Sequence, residues 1–338
     1  MKTIRAGIAG AAGFSGLELF SALVRHPQVE IVFITSEQHA GRRISEFLVS
    51  QQGGFDPVFE PLDPETQAGR VDVVFFALPP ETSLEAAPGF VDSTVVIDLS
   101  AAFRLNDPAV YKKWYKHEHA APGLLPQAVY GLTEWNRDAV RNAGLIANPG
   151  CYPTSVLIPM LPLIARGYCG AGPVIVDSKS GVSGMGRKVS PEATFMQIAN
   201  NFRAYGVGTH RHTPEIAQEL ALASDLAPPV IFTPHLLPIE RGILSTIYFQ
   251  SEKSAEECRE HLSNFYEGEP FVRVLNGGLP EIAQAAHTNL CVCTVVSSGT
   301  PGTLIAVSVI DNLVKGAAGQ AIQNMNVRFG FPEETALV

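Results

Sequence analysis

An α/β protein in two parts is the fold this sequence predicts, and three observations carry the prediction. A short apolar run at 4–8 leads straight into glycines at 7, 10, 13 and 16 and then a helical stretch. The apolar run at 71–77 has the look of a strand buried in a parallel sheet, and 29–35 and 95–98 read as further strands beside it. Past residue 170 the pattern changes to a further series of strand-like runs, at 173–177, 230–238, 242–249, 271–274, 290–296 and 304–310. That second pattern predicts α+β structure on a mixed or antiparallel sheet. A chain of 338 residues exceeds one comfortable core, so two domains are expected, 1–150 with 312–338 and 151–311.

Composition excludes several classes of function. A formal charge of -9, with no long Lys/Arg run, argues against a nucleic-acid surface. It leaves room for a small anionic substrate, because a local cluster can be positive on an acidic protein. No stretch of 18 apolar residues is present, and Met1 runs directly into a strand, which predicts a cytoplasmic protein with no membrane partner. The five cysteines have no metal-ligand spacing. Cys291 and Cys293 fall on one face of a predicted strand as packing residues, and no metal is expected, since His117 and His119 lack a third ligand.

The first element is the strand at 4–8, and the glycines behind it let the backbone turn tightly and approach a pyrophosphate. The N-terminus of the next helix, expected from about 15 to 25, would meet the phosphate charge. The strand at 29–35 then ends where an adenosine ribose should lie. Thr35, Ser36, Arg42 and Arg43 favour a 2′-phosphate, and hence NADP, whereas Glu37 favours NAD. The two arginines can equally be a solvated surface pair. The strands at 71–77 and 95–98 deliver Pro79 and Arg104 to the sheet's carboxyl edge, Arg104 as an anion contact or a loop brace.

The last predicted strand of this half, 144–148, leads into Asn148-Pro-Gly-Cys-Tyr-Pro-Thr154. Gly150 and Pro153 mark a turn and a first helical turn, which sets Cys151 at a strand-to-helix junction, with the helix itself reading from Thr154. Amides there would lower the thiol's pKa and offer donors to an oxyanion near residues 151–154. A buried packing cysteine is the alternative.

In the second half, the strand at 173–177 is followed by a loop at 178–188 rich in Ser, Gly, Lys and Arg, suited to anions. His210 and His212 precede a helix expected to be capped by Thr213 with Pro214 first, and an extended approach would aim both imidazoles one way. Glu215 is expected to fix the tautomer of His212, the proton-transfer residue, with His210 contacting substrate anions. Residues 311–325 read as one helix leading the chain back to the first domain.

With these residues in view, the chain resembles the N-acetyl-gamma-glutamyl-phosphate reductases of arginine biosynthesis, in the wider family that includes aspartate-semialdehyde dehydrogenase. The resemblance spans nearly the whole chain. It rests on 7–16, Asp98-Leu-Ser-Ala-Ala-Phe-Arg104, the segment around Cys151, Ser180-Gly-Val-Ser-Gly184, His210-Arg-His212 with Pro214-Glu215, Thr233-Pro-His-Leu236, and 311–326. It implies an NADP-binding Rossmann-type domain that regains the C-terminal helix, and a catalytic and dimerisation domain assembled as a homodimer or homotetramer. Cys151 would be the nucleophile, with His210 and His212 in acid–base catalysis and substrate contact.

The remaining site follows from these matches together. Arg104, Asn148, Lys179, Ser180, Arg187 and Glu215 are expected on the substrate, an anionic acyl phosphate. Gly10, Ala12, Gly13, Phe14, Ser15 and Gly16, then Ser36, Arg42, Arg43 and Pro79, are expected on NADP, with Ser183, Gly184 and Asn312. The chain departs from the family's usual Ser-Arg at Ser36-Glu37, and from its usual Gly-Ser-Asn at Ala286-His-Thr-Asn289. Two other readings stand beside this one, a reductase of a carrier-protein-bound aminoadipyl phosphate in lysine synthesis and an inactive nucleotide-binding regulator. The first needs a basic docking face and the second needs no nucleophile.

Overall fold

The computed structural model describes residues 3–48, 54–187 and 195–338. These form two compact units, Met1–Pro149 with Ala317–Val338, and Gly150–Gly316. Lys188, the last cation of the predicted anion loop, lies outside the described residues.

The first unit opens with β1 (Ile4–Ala9), α1 (Phe14–Leu23), β2 (Val29–Thr35), β3 (Phe59–Glu60) and α2 (Pro64–Gln67). It continues through β4 (Val73–Phe76), α3 (Pro80–Ala86), β5 (Val95–Asp98), α4 (Pro108–Tyr115), β6 (Ala128–Tyr130), α5 (Thr133–Val140) and β7 (Leu145–Ala147). The strands lie in the order β3-β2-β1-β4-β5-β7-β6, each pair parallel. Strands β4 and β5 are buried on both faces, which is why their sequences are uninterrupted Val, Ile and Phe until Asp98. The order reverses at β1, so the crevice beyond the carboxyl ends of β1 and β4 is where such a sheet takes a ligand.

The second unit begins with α6 (Cys151–Ala165) and continues through β8 (Val174–Ser180), α7 (Phe195–Ile198), β9 (Arg203–Ala204), α8 (His212–Leu222) and β10 (Val230–Leu236). It ends with β11 (Ile243–Gln250), α9 (Ala255–Phe265), β12 (Val272–Val274), β13 (Cys291–Ser297) and β14 (Thr303–Ile310). Its sheet runs β12-β13-β14-β11-β8-β10-β9 and is mixed, with β8–β10 and β12–β13 parallel and the other pairs antiparallel. Both sheets agree with the predicted α/β class.

Helix α6 is the core of this unit, buried from Tyr152 to Ile164 despite prolines at 159 and 162. A proline inside a helix orphans the carbonyl four residues back. Both orphans are met: Ser308 Oγ donates to Ser155 O, and Tyr266 Oη donates to Ile158 O at 2.5 Å. Ser155 Oγ, Ser245 Oγ and Ser178 Oγ form a buried chain at 2.7 Å that ties the helix to β11 and β8.

The return segment differs from the single helix expected at 311–325. Residues Val314–Ala318 form a π-helical turn, and α10 spans Gly319–Phe329. α10 belongs to the first unit, and Gln320, Gln323, Asn324 and Asn326 are fully buried on it. Their amides bond to Gly131 O, Thr133, Glu134, Asn148 and Glu333, so burial leaves these donors satisfied.

Candidate active site

In the first unit the turn after β1 has the sterics of a dinucleotide loop. Gly10 lies at φ +84°, where a Cβ would stand 2.3 Å from Ala77 O. At Gly16 a Cβ would stand 2.5 Å from Gly10 O, whereas at Gly13 it would meet only Gly10 O at 3.6 Å. Thus Gly10 makes the turn, Gly16 lets α1 pack against it, and Gly13 keeps the loop's outer side clear for a phosphate. Phe14 and Ser15 open α1, and Ala12 precedes it in the buried loop. The residues fit a dinucleotide. Gly7 corrects the expectation: it lies inside β1 and makes room for the Phe33 ring, 2.2 Å from where a Cβ would be.

At the end of β2, the Thr35 hydroxyl is buried and accepts the Gly10 amide at 3.2 Å, so it braces the loop instead of facing a ribose. Glu37 Oε1 accepts the Leu62 amide at 2.8 Å. Arg42 pairs with Glu46 at 2.8 Å and Arg43 with Asp56 at 3.6 Å; all but the half-buried Asp56 are exposed. Ser36 sits just beyond β2, and Pro79 precedes α3 at the carboxyl end of β4.

Arg104 takes the second of its two expected roles, and Asn148 differs from expectation. Arg104 is 7% exposed, and its Nε and one Nη donate to Asn148 O at 2.8 Å and Leu99 O at 2.7 Å. Two of its donors therefore brace the loop. Asn148 is fully buried, with Nδ2 on Ala317 O and Oδ1 accepting from Asn324, both at 3.1 Å. Its carboxamide is a structural pin, engaged at both its nitrogen and its oxygen. Asp98 is also fully buried; burial raises its pKa, opposed by Ser100 and the Arg104 charge.

In the second unit, two helix starts hold the candidate chemistry. α6 begins at Cys151, three residues before the predicted Thr154, with Gly150 as its cap. Pro153 is third in the helix, a position whose N–H would have no intrahelical partner in any case. The Gly150 amide donates to Glu215 Oε1 at 2.8 Å, and Thr154 N–H and Oγ1 return to Gly150 O. Glu215 is 1% exposed and anchors the cap of α6, a role other than the expected substrate contact. Since Pro153 has no N–H, oxyanion donors in the first turn narrow to residues 151 and 152.

α8 begins at His212, with Thr213 and Pro214 inside it. The approach is turned, with Arg211 at φ -66°, ψ -14° and Thr213 N–H on His210 O at 3.0 Å. The imidazoles still meet, their centroids 4.9 Å apart. His210 Nδ1 accepts the His212 amide at 3.2 Å, which leaves a neutral His210 with its proton on Nε2. Its ring is walled by Tyr152, Tyr205 and Phe232. Burial, with the neighbouring Arg211 charge, pushes its pKa down to about 4. His210 is therefore neutral near pH 7 and can donate to a substrate oxygen, but does not supply a cation. His212 lies against Tyr152, the residue after Cys151, at 5.9 Å.

The sequence did not single out Tyr152 and Tyr205. Their hydroxyls bond at 3.0 Å, and burial drives both phenols upward, Tyr205 to about 12. Aromatic residues beside each motif were the only signal.

β8 runs through Ser180, three residues beyond expectation, and alternation separates its side chains. Ser178 and Ser180 face α6. Lys179 points to the opposite face, paired with Asp177 at 2.8 Å, and Asp177 also meets His235 Nδ1 at 3.0 Å. Lys179 is thus directed away from Cys151. Ser183 Oγ donates to Glu240 O at 2.7 Å and accepts from Asn312 Nδ2 at 2.9 Å. Asn312 Oδ1 accepts the Gly242 amide at 2.7 Å, so its side chain braces the loop that contains Ser183 and Gly184. Arg187, further along that loop, is exposed.

The sequence relatives decide what this assembly belongs to. Residues 5–143 match the family described as semialdehyde dehydrogenase, NAD binding domain, and residues 151–312 match semialdehyde dehydrogenase, dimerisation domain. The chain is 45% identical to an N-acetyl-gamma-glutamyl-phosphate reductase of Geobacter metallireducens, covering 99% of this chain and 98% of that one. It is 46% identical, with the same coverage, to the reductase of that name from Geobacter sulfurreducens. The chain belongs to the N-acetyl-gamma-glutamyl-phosphate reductase family. The wider fold is shared with aspartate semialdehyde dehydrogenase II of Vibrio cholerae, at TM-score 0.76 and 18% identity over 98% of this chain and 99% of that one. It is shared also with the Candida albicans enzyme solved with NADP, at TM-score 0.68 and 16% identity over 96% and 98%. Family membership makes the protein an oxidoreductase with a nicotinamide-dinucleotide domain, and no described helix is long and apolar enough to cross a membrane.

Proposed function

We propose that this chain reduces N-acetyl-L-glutamyl 5-phosphate to N-acetyl-L-glutamate 5-semialdehyde with NADPH, releasing phosphate through a thioester on Cys151. The carrying observation is the 45–46% identity to reductases of that name over nearly the full length of both chains. Cys151 and His212 as the first residues of α6 and α8 support the chemical route.

His212 takes the thiol proton, and the thiolate attacks the acyl carbon. A carbon–sulfur bond forms, first-turn amides of α6 hold the oxyanion, and the carbon–oxygen bond to phosphate breaks with its electron pair. Hydride takes the thioester to the thiohemiacetal level, and a nicotinamide dinucleotide held at the start of α1 would supply it. Cleavage of the carbon–sulfur bond then returns the thiolate and frees the aldehyde. His210 donates from Nε2 to the substrate, and the α1 start with Gly10, Gly13 and Gly16 holds the pyrophosphate.

NADP is favoured over NAD through Ser36 with Arg42 or Arg43. Exposed ion pairs such as Arg42–Glu46 contribute at most about 1 kcal/mol, so a 2′-phosphate can replace the carboxylate partner. Self-association through the second unit is supported by its sheet face opposite α6, where Ile175 and Ile231 are 39% and 50% exposed. Light scattering that gave a monomer of 36.2 kDa at micromolar concentration would contradict it.

The direct test supplies N-acetylglutamate semialdehyde, phosphate and either dinucleotide, and follows NADPH or NADH absorbance. Turnover with a higher kcat/KM for NADP is expected, and Cys151→Ser abolishes it while dinucleotide binding persists. A serine variant with a tenth of the activity would rule out covalent catalysis at Cys151, and a preference for NAD would assign the ribose to Glu37.

A further inference from the structure

The return segment passes directly beside Cys151. Asp311 is fully buried and organises the turn: Oδ1 accepts the amides of Leu313 at 2.8 Å and Val314 at 3.0 Å, and Oδ2 accepts that of His287 at 2.7 Å. The Asp311 carbonyl accepts the Gly316 amide at 2.9 Å, a five-residue step that makes the turn π-helical. His287 gives its amide from φ +62°, in the left-handed region. The outcome is contact between Gly316 and the candidate nucleophile. A Cβ at 316 would stand 2.7 Å from Cys151 Cβ, 3.1 Å from its Cα and 3.3 Å from Asp311 O.

None of those atoms belongs to a flexible side-chain end that can swing aside. Any side chain at 316 must displace the first residue of α6 or unwind the π turn. Across the cap, Glu215 holds the Gly150 amide, so the cysteine is held from two directions. We infer that Gly316 is a positioning residue for Cys151: its bare backbone forms a wall that restricts how the thiol can turn, and Asp311 holds that wall in place. π-turns recur at functional sites because the widened step re-aims local groups.

This inference rests on Cys151 as the nucleophile, and its test has a readout independent of turnover. Gly316→Ala is made in the full chain. The rate of Cys151 alkylation by iodoacetamide is followed against pH by peptide mass spectrometry, beside kcat and dinucleotide binding. The expected result is kcat at least ten-fold lower and a displaced alkylation profile, with dinucleotide binding unchanged. Wild-type kcat and alkylation in a folded Gly316→Ala protein would overturn the inference. If Gly316→Ala does not fold, the double variant with Cys151→Gly removes the colliding Cβ. Recovery of folding supports the contact, and failure to recover overturns it. Should Cys151→Ser keep turnover while Gly316→Ala still displaces the alkylation profile, the nucleophile assignment fails and the positioning contact stands.

Discussion

The starts of α6 and α8 are built alike and hold different chemistry. Each places its candidate residue first, Cys151 or His212, with a proline third, Pro153 or Pro214. The positive end of a helix favours an anion beside it and disfavours a cation. At α6 the group beside that end is a thiol, and at α8 it is an imidazole. The two starts are also joined, because Glu215, fourth in α8, accepts the amide that caps α6. On the proposed mechanism, one local geometry thus serves a nucleophile in one place and a base in the other, and the side chain decides which.

Separating the two histidines probes this comparison with the largest expected effect. His212→Asn should lower kcat by about 10²–10⁴-fold, the range for general acid–base catalysis. His210→Asn should act mainly on KM, because a neutral histidine walled by aromatics can orient substrate but is a poor base at its depressed pKa of about 4. If His210→Asn lowered kcat more, and moved the Cys151 alkylation profile while His212→Asn did not, the roles would be exchanged.

The body of α6 supplies the next test, since it depends on outside donors that α8 does not need. Tyr266→Phe leaves Ile158 O unmet and should cost about 1–3 kcal/mol in urea unfolding. Pro162→Ala returns an N–H to that carbonyl, so the tyrosine should matter less in its background. Equal costs in both backgrounds would show that Pro162 is not the reason for the bond.

A smaller effect distinguishes α8. Glu219 lies one turn beyond Glu215; burial, partly offset by Gln218 and reinforced by Glu215, pushes its pKa up to about 7 from 4.5. Between those values the folded protein keeps a proton that the unfolded chain has lost, so stability falls as pH rises from 4.5 to 7. At about 1.4 kcal/mol per pKa unit, the penalty above pH 7 is on the order of a few kcal/mol. Glu219→Gln should match wild type below the lower value and exceed it increasingly up to neutrality. A gap that stayed constant with pH would contradict this account.

These helices also show what the sequence could reveal. Strands β2 and β5 were legible to the residue, because apolar runs bounded by polar turns have one good solution in a parallel sheet. Both helices were legible, yet each start was placed too late around a proline: α6 was begun after Pro153, and α8 was begun with Pro214 as its first residue. Any of the first three positions tolerates it, since their amides lack intrahelical partners. The Cys151 and histidine motifs identified the candidate residues, whereas Asn148 and Asn312 carry side chains whose partners are distant in sequence. Asn148 meets Asn324, and Asn312 meets Gly242 and Ser183, pairings that no local pattern encodes.

The most direct measurement mixes the enzyme with N-acetylglutamyl phosphate in the absence of dinucleotide. The account predicts about one phosphate released per active chain and an N-acetylglutamyl mass on the Cys151 peptide, which NADPH then discharges as aldehyde. Phosphate released only after NADPH is added, or an acyl mass on any residue other than Cys151, would contradict it.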